Sequence, residues 1–376
     1  LVERQRVGVD ATSLGAFGKG VARYVRELLP ALAELDLPLD PVVLAPPDAD
    51  VPPGAERFEV ARVRGRPAAR WEQLELPRVA HEHRLALVHT TSDRLPLVGS
   101  VPIVVYLFED PKYRLAAAGG LRPARHVVAD ALTRALFRRS MGRAALVLVS
   151  SRATARDLEE RGVGEHVRLV YPGVSPVFRP SRDEAETAAL RERLHASAGY
   201  VLHFSSDDPR DNTEVALRAY AELCRRVPET PPLLVPGPVV AQLTPQQRLA
   251  DELGIRDRVR WLGFQRGDAL AEVYRAASVF VDPSLYEGFG FQVAEALASG
   301  APVVCSNATS LPEVVGDAAI LVEPPDVRGF ADAMQVLLGN AGQAADLSQR
   351  GVGQAARFTW ARTAQETVAA WQELLA

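Results

Sequence analysis

Two series of short β-rich runs, each run followed by a longer helical pattern, fill nearly the whole chain and restrict its fold more than any other feature. The first series is "RVGVDA" (6–11), "PVVLAP" (41–46), "LALVHT" (85–90), "PIVVYLF" (102–108), "ALVLVS" (145–150) and "VRLVYPG" (167–173). The second is "YVLHFS" (200–205), "PLLVPG" (232–237), "VRWLGF" (259–264), "VFVDPS" (279–284), "APVVCS" (301–306) and "AAILVEP" (318–324). Parallel neighbours can be joined only by a long crossover, usually a helix, so this alternation predicts parallel sheets with covering helices. The expectation is an α/β protein of two domains that share an architecture without sharing a sequence. A length of 376 residues with 47% hydrophobic content is enough for both cores.

Between the series, "PGVSPVFRPSRDEAE" has the prolines and the turn to charge of a linker, which places the domains at 1–178 and 179–357, with a boundary near Phe178. The tail "FTWARTAQETVAAWQELLA" (358–376) carries Trp360, Thr363, Val368, Trp371 and Leu374 at helical spacing. It reads as an amphipathic terminal helix that either caps the second domain or packs back on the first.

The net charge of −4 gives no reason to expect a nucleic-acid partner. Lysine occurs only as Lys19 and Lys112, so arginine carries almost all positive charge. Cys224 and Cys305 lie far apart and read as reduced, apolar residues. No run reaches the ~18 apolar residues of a membrane span, and "LVERQRVGVD" lacks the apolar core of a signal peptide. A cytoplasmic location is expected, in which the sequon at Asn307 goes unused. The segment "RPARHVVADALTRALFRRSMGR" combines an apolar stripe at Val128, Leu132, Ala135 and Leu136 with several arginines. It reads as a crossover helix with a basic outer face, or as a peripheral contact with the inner face of an anionic membrane. His81, His83 and His89 have no acid or cysteine at ligand spacing, and no metal site is expected there.

The richest chemistry lies in "YEGFGFQVAEALASG" (286–300). It follows a strand, at the end of an α/β sheet where ligands collect. Gly288 and Gly290 let backbone approach a ligand, and amides opening the next helix suit a phosphate or a sugar hydroxyl. Glu295 falls in the first turns of that helix, beside the stripe Phe291, Ala294, Leu297 and Ala298. The glutamates could grip polyol hydroxyls, or could only complement the helix dipole.

"EGFGFQVAEALASGAPVV" and "SLPEVVGDAAILVEPPD" resemble the retaining GT-B nucleotide-sugar glycosyltransferases of family 4, with their glutamate, seven residues, glutamate motif. "GVDATSLGAFGKGVARYVRELLPAL", "WEQLELPRVA", "VLVSSRATARDLEERGV", "VRLVYPGVSPVFRP" and "LGFQRGDALAEVYRAASVFVDPS" are similar to the family's other landmarks, in the same order. The resemblance implies two Rossmann-like domains facing each other across a cleft, the first binding the acceptor and the second the nucleotide sugar. It implies that Glu287 holds donor-sugar hydroxyls and Glu295 the ribose. Gly288, Phe289 and Gly290 would meet the sugar and diphosphate, Leu262, Gly263 and Phe264 would line the base pocket, and Leu311 in "TSLPE" would close around the diphosphate.

The chain departs from the family's pattern at three places. Where the family sets an arginine and a lysine against the donor diphosphate, this chain has "HFSSDDPRDN" (203–212), with Ser206 and Asp211 at those positions. A leaving diphosphate develops negative charge that must be stabilised. Three compensations are open: Arg210 as a phosphate-binding fork, Lys19 from the first domain, or a divalent cation held by Asp207, Asp208 and Asp211. Against the cation, three acids in a turn read as a solvated helix-capping cluster. On the acceptor side, "VVYLFEDPKYR" places Glu109 and Asp110 where relatives carry a His-Asp pair. Asp110, or Glu109, would position an acceptor hydroxyl, or the pair forms a strand-end turn facing water. The glycine loop keeps Gly15, Gly18 and Gly20, with Ala22 in place of a further glycine.

The expected function is transfer of a hexose-type sugar from a nucleoside-diphosphate sugar to a hydroxyl of a glycan, lipid or small molecule, with no cofactor beyond the donor. A sugar-nucleotide isomerase or hydrolase on the same fold is one alternative. A non-catalytic nucleotide-sugar-binding protein or partner subunit is the other, favoured by the lost basic pair.

Overall fold

A computed structural model describes residues 4–15, 20–110, 135–206, 208–237 and 244–376. The chain divides into two compact units: Leu1–Gly173 with Phe358–Ala376, and Val174–Arg357. The division falls at Gly173, a few residues ahead of Phe178. A side chain at Gly173 would meet the Trp360 backbone nitrogen at 2.2 Å, so the chain leaves unit 1 pressed against the helix by which it returns.

Unit 1 is a seven-stranded sheet in the order β3-β2-β1-β4-β5-β6-β7. Its strands are β1 (Arg6–Asp10), β2 (Asp40–Ala45), β3 (Glu59–Arg62), β4 (Leu85–Thr90), β5 (Ile103–Leu107), β6 (Leu146–Val149) and β7 (Val167–Leu169). Every pairing is parallel. Helices cover such strands on both faces, which is why β5 is buried along its whole length and shows in the sequence as an unbroken apolar run. The edge strand β3 was not expected. Only Ala61 of it is buried, so it lacks the apolar run that marks the inner strands. Helices α1 (Gly20–Ala33), α2 (Leu76–Glu82) and α3 (Arg152–Glu159) belong to this unit. Residues Val128 and Leu132 of the basic segment lie outside the described residues. Its described end differs from the expected stripe: Ala135 and Leu136 are exposed, and Phe137 and Met141 are buried instead.

Unit 2 is a six-stranded sheet in the order β10-β9-β8-β11-β12-β13, again parallel throughout. Its strands are β8 (Val201–Leu202), β9 (Leu233–Pro236), β10 (Val259–Gly263), β11 (Val279–Asp282), β12 (Val303–Ser306) and β13 (Ala319–Val322). The helices, in order, are α4 (Glu184–Arg193), α5 (Thr213–Arg226), α6 (Pro245–Glu252), α7 (Gly267–Arg275), α8 (Phe291–Ala298), α9 (Leu311–Val315), α10 (Val327–Gly339) and α11 (Ala341–Ala355). Leu217, Tyr220, Val281, Phe330 and Met334 join α5, β11 and α10 in one core.

The chain rejoins unit 1 as α12 (Trp360–Leu375), capped by Thr359, whose hydroxyl accepts the Arg362 amide. Trp360, Thr363, Val368 and Trp371 are buried, as their spacing requires, while Leu374 is only partly covered. The Trp371 indole donates to His89 Nδ1 at 3.3 Å, and His89 Nε2 lies 3.2 Å from the Tyr24 hydroxyl. His89 is thus a paired core histidine, which burial holds neutral with its pKa lowered to about 3.

Candidate functional site

Strand order reverses between β8 and β11 in unit 2, and between β1 and β4 in unit 1. Loops leaving the carboxyl ends of such strand pairs diverge and open a crevice that suits a ligand.

In unit 2 one side of the crevice is the chain after β8. Asp208 caps a 3-10 turn (Pro209–Asp211), and its carboxylate accepts the Arg210 amide at 3.0 Å. The same carboxylate clamps the Arg210 guanidinium through Nε at 3.0 Å and Nη2 at 2.6 Å. Arg210, expected as a phosphate fork, is therefore committed to a partner two residues away. Asn212 follows in the left-handed region (φ 53°). Its amide donates to the carbonyls of Pro283 and Pro324 and fixes the turn to the ends of β11 and β13. Ser206 donates its hydroxyl to Asp211 and accepts the Asp208 amide at 3.1 Å.

Asp211 departs from the expected solvated acid. It is largely buried, and desolvation, reinforced by the charges of Asp282 and Asp208, pushes its pKa up to about 6 against the pull of Ser206 and Arg210. Asp207 lies outside the described residues. Among the described residues no group of three His, Cys, Asp or Glu could hold a metal ion.

The other side is the loop from β11 to α8. Asp282 ends β11 at 2% exposure, and Oδ1 accepts both the amide (3.1 Å) and the hydroxyl of Ser284. That hydroxyl also lies 3.3 Å from Glu287 Oε1. The Glu287 amide donates to Thr309 Oγ1 at 3.0 Å, and Ser310 Oγ donates to the Glu287 carbonyl at 2.9 Å. The "TSLPE" loop thus holds the half-buried Glu287 in place. Gly290 has φ 92° at the start of α8, and a Cβ there would sit 2.5 Å from Leu311 Cδ2. Both the turn and the approach require glycine.

Several expected contacts change character. The side chains of Phe289 and Leu311 are buried, at 2% and 0% exposure, and the Leu311 amide already donates to the Ala308 carbonyl. Their side chains serve the core, and this part of the loop can offer a ligand backbone only. Glu295 is also buried, at 2% exposure, in the second turn of α8. Phe264, by contrast, is 66% exposed beyond the end of β10, with the Arg266 guanidinium 5.8 Å from its ring centre. Gly263 (φ 72°) turns the chain there, and the Leu262 carbonyl accepts Gln265 Nε2 at 2.8 Å.

In unit 1, Gly20 opens α1, and Lys19 and Gly18 fall outside the described residues. Asp110 is wholly buried and ion-paired with Arg161. It therefore does not face water as a turn residue. Among the described residues, Asp10 and Glu72 sit at the β1–β4 crevice, and neither is singled out by the sequence reading. Asp10 accepts from Thr12, Thr90 and the Trp71 indole, and Glu72 accepts from Ser92 and Arg94. Burial raises the Glu72 pKa. The available signal was "VDAT" at the end of the first strand together with "WEQ". Asp282 likewise carries no sequence signal beyond its place in "VFVDPS".

The Glycosyltransferase Family 4 model matches residues 18–178, and the model for Glycosyl transferases group 1 matches residues 191–353. O-antigen chain mannosyltransferase B of Escherichia coli is 37% identical over 201 residues, 51% of this chain and 51% of that relative. The alignment with that curated relative therefore spans about half its length. Among solved structures, sucrose-phosphate synthase of Thermosynechococcus elongatus matches with a TM-score of 0.78 at 22% identity, covering 99% of both chains. Anabaena HepE, in complex with UDP and glucose, matches at 0.76 and 18% identity, covering 98% of this chain and 100% of HepE. At these identities the structural likeness is one of fold.

Proposed function

Because the chain belongs to glycosyltransferase family 4 and has the GT-B fold of two Rossmann-like halves, we propose that it transfers a hexose-type sugar from a nucleoside-diphosphate sugar to an acceptor hydroxyl with retention at the anomeric carbon. Unit 2 holds the donor and unit 1 the acceptor. Glu287, half-buried and fixed through its own backbone by Thr309 and Ser310, accepts hydroxyls of the donor sugar. Glu295 takes the ribose diol. Backbone around Gly288 and Gly290 meets the diphosphate, and the exposed Phe264 ring stacks on the base.

In the reaction the bond from the anomeric carbon to the diphosphate oxygen breaks. The acceptor oxygen bonds to that carbon on the same face, and the hydroxyl proton passes to a diphosphate oxygen, which leaves as nucleoside diphosphate. No side-chain base is needed for this step. No cofactor beyond the donor is assigned.

The single observation that carries the reading is the Glu287–Gly290 loop, rigidly tied down at the β8–β11 crevice where the strand order reverses. The relative named a mannosyltransferase and the relatives solved with UDP or UDP-glucose make mannose and glucose donors the first probes. Wild-type protein incubated with such donors and a set of glycan and lipid acceptors should release nucleoside diphosphate only when an acceptor is present. Glu287→Gln should lower the rate by roughly 10²-fold or more while leaving the fold intact. Release without any acceptor would replace transfer by hydrolysis, and no release with any donor would end the transferase reading. The non-catalytic alternative is disfavoured by relatives that are named as transferases.

A further inference from the structure

At the end of β11 the Glu287 carboxylate is joined to two polar side chains that the donor-site reading does not use. Ser284 Oγ stands between Asp282 Oδ1 and Glu287 Oε1, the latter 3.3 Å away. A serine hydroxyl has one hydrogen to give. With both acids ionised, that hydrogen goes to Asp282, and Glu287 Oε1 faces a serine lone pair.

The surroundings of Asp282 decide against that state. The residue is 2% exposed, and its Oδ2 is sealed from solvent with no hydrogen-bond partner among the described residues. An ionised carboxylate leaves charge on that bare oxygen, which costs far more than leaving a neutral carbonyl oxygen there. A proton on Oδ2 would find no acceptor, whereas a proton on Oδ1 meets Ser284 Oγ. The same heavy-atom positions serve donation in either direction, so protonation reverses the bond: Asp282 donates, Ser284 accepts, and the serine hydrogen turns to Glu287 Oε1. The Ser284 amide, 3.1 Å from Oδ1, still donates to it.

The titratable neighbours supply nothing that would hold Asp282 ionised. Cys305, its partner on β12, is buried, and burial pushes its thiol pKa well up. His203, on the β8 side, lies between the Val281 carbonyl and Thr213, with its pKa lowered to about 4 by desolvation. Asp211 is another acid, and the Arg210 guanidinium is clamped by Asp208. Burial also raises the Asp282 pKa, the direction that the geometry requires. The rise at Asp211 has its own desolvation as first cause and needs no charge on Asp282.

We propose, resting on the donor-site reading above, that Asp282 is a positioning residue for Glu287: as a neutral acid it donates to Ser284, which in turn donates to Glu287 Oε1 and fixes the carboxylate that grips the donor sugar. Glu287 is then held at its backbone by Thr309 and Ser310 and at its carboxylate by Ser284. The relay acts on the sugar part of the donor and leaves the nucleotide alone.

Infrared difference spectroscopy of the full chain at about pH 7, wild type against Asp282→Asn, reads the proton without any ligand. The wild type should show the carbonyl band of a buried, protonated carboxylic acid that the variant lacks, and absence of that band would overturn the proposal. Calorimetry reads the positioning, as the ratio of affinities for UDP-glucose over UDP, or GDP-mannose over GDP, for the pair that the wild type binds. Ser284→Ala should lower that ratio roughly three- to tenfold while the bare nucleotide binds as in the wild type. Asp282→Leu keeps the shape of the acid with no hydrogen to donate, and should lower the ratio by the same amount. Asp282→Asn, whose amide donates to Ser284, should stay within about twofold of the wild type. A ratio unmoved by Ser284→Ala, or equal losses for nucleotide and nucleotide sugar, would overturn the relay while leaving the donor site standing. Failure of both nucleotides to bind the wild type would remove the donor-site reading and the role given to the relay, while the infrared band still reports the proton on Asp282.

Discussion

Asp282 fills the end of a buried strand with a charge-bearing group, and its effect on stability has a definite sign. Burial raises its pKa above the ordinary value of 3.8, so between the unfolded and the folded pKa the folded protein holds a proton that the unfolded chain has released. Its stabilising contribution is complete below about pH 4 and is lost progressively as pH rises toward the folded value. Asp282→Asn should therefore raise the melting temperature by a few degrees near pH 8 and give little or no gain near pH 4. A gain that is equal at both pH values would show that Asp282 is not held protonated. Gly290 tests a different constraint at the same scale. Alanine there meets both a left-handed backbone and the buried Leu311, and should cost about 1–3 kcal/mol in urea unfolding. A cost below about 0.5 kcal/mol would mean that the turn relaxes easily.

At the scale of elements, α12 contributes to unit 1 through Trp371, which is wholly buried against β4 and donates its indole N–H to His89, whose other ring nitrogen faces the Tyr24 hydroxyl. Trp371→Ala leaves a cavity and strands a buried ring nitrogen, so denaturant unfolding should show a loss of about 3–5 kcal/mol. A loss under about 1 kcal/mol would show that the helix is held by other contacts. The inner strands were readable because burial on both faces forces continuous apolar runs, as in "PIVVYLF". The edge strand β3 escaped because one buried residue suffices there. The Glu287 loop was legible for a local reason: glycines and acids after a strand have few other uses. The states of Arg210, Asp211 and Asp282 were not legible. They depend on Asp208 folding back over Arg210 and on β12 and the turn after β8 burying Asp282, which are relations between segments distant in sequence. Asp110 shows the same limit, since Arg161 approaches it from another element.

Over the whole molecule, two sheets of the same plan present two crevices, each where strand order reverses and each bordered by acids. In unit 1 the acids are satisfied by fixed neighbours: Asp10 by Thr12, Thr90 and Trp71, and Glu72 by Ser92 and Arg94. In unit 2 they include Asp282, one oxygen of which has no partner among the described residues. The proposed placement of the donor on unit 2 rests on the Glu287 loop. Hydrogen–deuterium exchange of the full chain with and without saturating UDP or GDP would locate the nucleotide directly. Protection should concentrate in residues 204–212, 262–266, 284–291 and 307–313. Protection confined to unit 1, or none in these segments while the nucleotide is bound, would contradict the placement of the donor at the β8–β11 crevice.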